Sequence, residues 1–157
     1  MAELNSLEEL GECFARAADL IDSYVENYLK NDLLPEVVTS AKAKLGTYQS
    51  AVGPFPAWDP LAVSTMRIRE ALGATPNDPL LRFGQMHDET FGILQSSGPE
   101  RYLMTVGSEA DYAWRQELGD GRTPPRPWLG PALFEACRHV EIDLEAVIYT
   151  AFVEAFG

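Results

Sequence analysis

Apolar or small residues recur at Leu7, Leu10, Phe14, Ala17, Ile21, Tyr24 and Tyr28, the three-and-four spacing of a helix with one apolar face. Ser6 and Glu9 form a capping box at its start. The other face carries Glu8, Glu12, Asp19, Asp22 and Glu26, with Arg16 and Lys30 its only basic residues. The stripe is expected to pack against its own domain, with a subunit contact as the alternative. Pro35 predicts the start of a second helix after Asn31-Asp32, running through Val37, Val38, Ala41 and Leu45 to a break near Gly46. Tyr48 to Phe55 reads as a loop or a short extended piece.

Trp58-Asp-Pro-Leu61 predicts a helix over 60–72. Asp59 suits the N-cap and Pro60 the first turn. Leu61, Thr65, Ile68 and Leu72 would share a face, and Gly73 would stop the helix. TPNDP is a turn, and LLRFGQM reads as one turn of helix. HDETFGIL and RYLMTVGS then read as two strands around the turn SSGPE, a hairpin with Tyr102, Met104 and Val106 on its buried side. Glu109 to Leu118 is helical in pattern and ends at Gly119. A long amphipathic helix through Leu133, Cys137, Val140, Leu144, Val147 or Ile148, and Ala151 closes the chain. The expected fold is therefore α+β: a small antiparallel hairpin sheet packed with several helices, the N- and C-terminal ones long. Residues 1–157 are expected to form one domain, with an N-terminal helical region over 1–50 and an α+β core over 58–157.

Charge narrows the function. Acidic residues outnumber basic ones 24 to 12, a formal charge of -12. That balance opposes tight binding to nucleic acid, which needs cations to displace counterions from phosphates, and opposes docking on an anionic membrane. Met1 to Asn5 has no basic region and no apolar run after it, so no leader is expected. No apolar stretch approaches the roughly 20 residues that span a bilayer. The two cysteines, Cys13 and Cys137, lack CxxC spacing and are expected to be reduced and buried.

Candidate chemistry is sparse. His87-Asp88-Glu89 on a strand would put His87 and Glu89 on one face, but His139 is the only other histidine. Cys137 and His139, two apart on a helix, would not face each other. Acidic pairs such as Asp88/Glu89 and Glu109/Asp111 are what 24 carboxylates produce by chance on a solvated face. No GxGxxG or phosphate-cradling loop occurs. The expectation is a protein that is not an enzyme, with no cofactor and no metal. Trp58, Trp114 and Trp128 each adjoin a structural boundary, as core anchors or as interface anchors.

The order of these motifs carries a resemblance. W58-D-P-L61, P79-L-L-R-F-G-Q-M86, V106-G-S108, D111-Y-A113 with Gly119, and P124-P-R-P-W-L-G-P-A-L133 occur in sequence. Together they resemble the phage virion-morphogenesis proteins, which include tail-completion proteins of Mu-like and P2-like phages and neck proteins of lambdoid phages. The resemblance covers the chain from Trp58 onward. Phe83 stands where that group usually has a small hydroxyl residue, Met86 replaces Leu, and Trp128 stands where Phe is common.

The resemblance implies a structural subunit at the head–tail junction, located in the virion neck or tail and assembled in the host cytoplasm. Its expected partners are copies of itself in a ring, a hexamer first, and neighbouring connector, tail-terminator or tail-tube proteins, with genome DNA passing nearby but not specifically bound. The candidate interface residues are Pro125, Arg126, Pro127, Trp128, Leu129, Tyr112, Trp114 and Trp58. The Arg126–Gly130 segment, the hairpin tip Ser96–Glu100 and the loop Gly119–Thr123 are the surfaces expected to carry contacts. A proline-rich or aromatic protein-interaction module is the alternative, followed by a small carboxylate- or metal-dependent hydrolase.

Overall fold

The computed structural model describes residues 6–98 and 101–157. The fold is α+β. Helix α1 spans Leu7–Tyr28, and the Ser6 hydroxyl accepts the Glu9 amide at 3.1 Å, as the capping pattern predicts. The expected break before Pro35 does not occur. A π-helical turn, Leu29–Leu33, carries α1 straight into α2, Leu34–Lys44. Within a plain α-helix the Pro35 ring would clash with the carbonyl four residues back. The wider turn, in which the Leu34 amide donates to the Leu29 carbonyl, accommodates it without ending the rod.

After α2, an isolated bridge between Val52 and Phe55 closes a small loop, and the next helix, α3, spans Val63–Ala71. It starts three residues later than the Asp59–Pro60 signal predicts. Asp59 and Pro60 stay outside the helix, where their carbonyls accept the Arg126 guanidinium, and the Leu61 amide donates to the Tyr48 hydroxyl at 3.0 Å. The α3 face also differs from the expected one. Ile68 and Leu72 are exposed, while Arg69 is buried and donates to the Asp78 carbonyl. Gly73 ends the helix with a positive φ, as predicted.

Gly84 opens a single turn, α4, Gln85–Asp88, so His87 and Asp88 are helical rather than extended. The Asp88 and Glu89 amides close this turn on the Gly84 and Gln85 carbonyls, and the Thr90 hydroxyl caps it by donating to the Met86 carbonyl at 2.6 Å. Strand β1, Thr90–Ser96, pairs antiparallel with β2, Tyr102–Ser108, from Thr90 opposite Ser108 to Ser96 opposite Tyr102. Part of the predicted turn, Pro99 and Glu100, lies outside the described residues. Along β2, Tyr102, Met104 and Val106 are the more buried set and Leu103 and Thr105 the exposed one, the alternation expected. Strand β1 crosses α2 so closely at Gly92 that a Cβ there would stand 2.6 Å from Leu34 Cδ1 and 2.7 Å from Val38 Cγ2.

Helix α5, Ala113–Leu118, is shorter than the predicted 109–118 and ends at Gly119. The C-terminal pattern, expected as one helix, is two: α6, Leu129–Ala136, and α7, Val140–Phe156. Between them the Arg138 and His139 amides donate three residues back, to Glu135 and Ala136, tightening the backbone into a corner. The corner lets α6 pack on α2 while α7 turns to pack along α1. Cys137 sits in this corner and is exposed, unlike buried Cys13. The closing helices thus dock chiefly on helices; Met104 and Val106 of β2 join them in a shared cluster with Val37, Ala136 and Leu144.

The α1–α7 pair is antiparallel. The Tyr28 hydroxyl donates to Asp143 at 2.9 Å, and Phe14 meets Phe156 edge-on at 5.2 Å between ring centroids. Small residues at four-residue spacing, Cys13 and Ala17 on one helix and Ala151 and Ala155 on the other, are buried. The middle of the predicted α1 stripe therefore packs within its own chain. Its first residue, Leu7, is exposed, and Phe14 is half-exposed. No helix among the described residues is long and apolar enough to cross a membrane.

Tyr102 ties the hairpin to α1, its hydroxyl donating to the Asp22 carboxylate at 2.7 Å. That hydrogen bond, with burial and the Asp22 charge, pushes the phenol up from 10.0 to about 12. A folded-state pKa above the unfolded one stabilises the protein fully below pH 10 and loses that contribution as pH rises through about 12. Tyr102→Phe is expected to flatten the fall in melting temperature across that alkaline window, while neutral-pH melts show only the loss of the bond. Thermal melts of both proteins across the window check this.

Candidate functional site

The double-proline segment Thr123–Leu133 is largely a core element, with its first residues and Leu133 at the surface. Pro125 is exposed, but Arg126, Pro127 and Trp128 are buried, Trp128 completely. The Arg126 amide donates to the Gln116 carbonyl at 2.6 Å, and its guanidinium donates to the Asp59 and Pro60 carbonyls, at 2.9 and 3.3 Å from Nη2. One buried cation thus locks the Trp58 region to the end of α5. The Pro127 carbonyl accepts the Trp58 indole N–H at 3.0 Å. Trp58 and Trp128 share a cluster with Ala41, Leu45, Met86 and Ala113. Both tryptophans are core anchors of their own chain.

Glu117 completes the segment. Its carboxylate accepts the amides of Trp128, Leu129 and Gly130 at 2.7, 3.1 and 2.9 Å. A helix start leaves its first amides without backbone partners. Here Glu117 takes three of them, and the next residue, Pro131, has no N–H. Gly130 makes room for this approach: a Cβ there would stand 2.6 Å from the Phe55 ring and 3.2 Å from Glu117 Oε1. Sequence reasoning missed Glu117 because it lies outside α6 and far from the local spacing of a capping box.

Of the predicted interface residues, Tyr112 and Trp114 are exposed on and beside α5, and Leu129 is partly buried against the core. The Arg126–Gly130 segment, expected at the surface, is instead largely inside. Beside it lies a groove of about 630 Å³, bordered by α3, α5 and the loop after Gly119. Five arginines line it, Arg69, Arg82, Arg115, Arg122 and Arg126, with Asp120 its single carboxylate. Burial, with the Arg82 and Arg126 charges, pulls the Arg69 guanidinium below its usual value. The Asp120 carboxylate accepts the Thr123 and Arg122 amides of its own loop at 2.8 and 3.1 Å, which holds its carboxyl low. Among the described residues the ion pairs are Lys44–Glu135 and His87–Asp88, so none of the five arginines is paired with a carboxylate. Arg82 and Arg115 lie over the Phe83 and Trp114 rings at 5.0 and 5.3 Å.

The chain matches no family model, no curated protein and no solved structure. Function therefore rests on the molecule's own surfaces.

The second surface is the outward side of α7. Inward, Leu144, Val147, Ala151 and Ala155 pack into the fold; outward, Ile142, Ile148, Tyr149, Phe152 and Val153 are exposed. Ile142 and Tyr149 are 67% and 70% exposed, so most of each side chain faces solvent. Glu141 and Glu145 flank a shallow apolar trough along this side. Among the described residues no group of three His, Cys, Asp or Glu side chains lies close enough to hold a metal ion.

Proposed function

We propose that this chain is a structural subunit that works by assembling with copies of itself and with neighbouring proteins. The observation that carries this is α7, which is apolar on both its inward and outward sides. A helix that is hydrophobic all round belongs in an interior. In the single chain only half of α7 has one, and an exposed apolar surface of this kind marks a contact site. Further apolar side chains stand out on α5, where Trp114 and Leu118 are exposed.

The order of motifs from Trp58 to Leu133 narrows the proposal to a neck or tail-completion protein of a tailed phage, assembled as a ring in the virion. Under this reading TPPRPW is the rigid element that fixes the subunit's shape, and the contacts lie on other surfaces. The net charge of -12 suits a ring that lets a duplex pass without holding it. The test is a phage lysate lacking the gene. Heads and tails are expected to accumulate unjoined or with unfinished tail ends, and the purified protein to restore complete particles. Complete, infectious particles in its absence would refute the assignment.

A further inference from the structure

We propose that the arginine-lined groove between α3 and α5 receives the acidic, apolar outward side of α7 from a second copy of this chain. The inference rests on the self-assembling reading and names the two surfaces that would meet. Five of the chain's 12 basic residues converge on this one groove, on a molecule with twice as many acids. Concentrating unpaired cations in one place costs free energy through their mutual repulsion, so a partner anion is the natural complement. Arg82, Arg115 and Arg122 are solvent-exposed and free to reach one.

The complementary surface is on the same chain but elsewhere. Helix α7 carries four carboxylates and no cation. Asp143 and Glu154 are held by the Tyr28 and Tyr24 hydroxyls within the subunit. Glu141 and Glu145 are exposed and unpaired among the described residues, and they border Ile148, Tyr149 and Phe152. The groove rim offers matching apolar groups in Phe83 and Tyr112. Apolar contact would supply affinity, and the Arg–Glu pairs orientation and register.

The groove is built from residues between 60 and 126, whereas α7 packs along α1. The two surfaces lie on different elements, so the contact proposed pairs unlike patches, groove to helix, as a head-to-tail contact does. Such contacts propagate and close into a ring when the rotation permits. A nucleic-acid duplex is the less favoured occupant. Beyond the roughly 8 Å over which charges act at physiological salt, it would meet an acidic surface.

Charge reversal tests this. One variant carries Arg82→Glu with Arg122→Glu; the other carries Glu141→Arg with Glu145→Arg. All four positions are exposed, and circular dichroism should show both variants folded. Each variant alone is expected to associate at least about tenfold more weakly than the unaltered chain. Mixed, the acidic α7 of the groove variant meets the unaltered groove of the other, and the reversed α7 meets the reversed groove, so the two should assemble together in alternation. All four substitutions in one chain should restore assembly. If the unaltered chain assembles and the groove variant assembles equally well, the groove assignment falls while the subunit reading stands. If the unaltered chain is monomeric at every concentration, the subunit reading falls with it. Loss of affinity for a DNA duplex in the groove variant, with assembly unchanged, would assign the groove to phosphates and overturn the proposal.

Discussion

Trp128→Ala should cost about 3–5 kcal/mol of folding stability, the range for emptying a fully buried aromatic site. The indole is completely buried where α2, α5 and α6 meet, in a cluster with Ala41, Trp58, Met86 and Ala132. Four other members of that cluster, Ala41, Ala110, Ala113 and Ala132, are alanines, too short to reach into the space. At this chain length the loss corresponds to a melting temperature lower by roughly 10 °C. Trp128→Phe should cost far less. The indole N–H has no acceptor among the described residues, so phenylalanine removes a buried unsatisfied donor while keeping much of the ring. Denaturant unfolding of the two variants checks both values. An alanine variant as stable as the original would mean that Trp128 anchors nothing within the subunit.

Glu117→Ala is the second large effect. It strips the acceptor from three consecutive amides at once, those of Trp128, Leu129 and Gly130. A single lost helix cap costs about 1 kcal/mol, and a hydrogen bond to a charged group contributes about 1.5–3 kcal/mol. The three donors share one carboxylate and water can reach part of the site, so a loss of about 2–4 kcal/mol is expected. Because α6 holds α2 and leads into α7, amide exchange in α6 and the first turn of α7 should speed up more than in the hairpin. Glu117→Gln keeps one good acceptor and should lie between the two proteins. The measurement is denaturant unfolding combined with hydrogen exchange.

Local periodicity carried much of this fold into view. The Ser6 cap, the middle of the α1 stripe, the β2 alternation and the stops at Gly73 and Gly119 all follow from residues within one or two turns of each other. The departures have long-range causes. Asp59 and Pro60 fit a helix start by every local rule, yet Arg126, 67 and 66 residues away, uses their carbonyls. The Pro35 break vanished because a π-turn absorbs the proline, and the corner at Cys137–His139 serves the docking of α7 on α1.

The surfaces followed the same division. The TPPRPW segment was conspicuous in sequence, but its chemistry points inward, and Glu117 beneath it had no local signature. The groove arginines are scattered between positions 69 and 126, and only the fold brings them together. In contrast, the outward side of α7 was present in sequence as Ile142, Tyr149, Phe152 and Val153, which a single inward stripe does not include.

What the chain does depends on whether that side finds a partner. The direct measurement is the mass of the purified protein in solution, by size-exclusion chromatography with light scattering, followed by negative-stain imaging. A concentration-dependent oligomer of defined size is expected, seen as closed rings and weakened by high salt. A strict monomer of 17.4 kDa at every concentration, never incorporated into a particle, would contradict it.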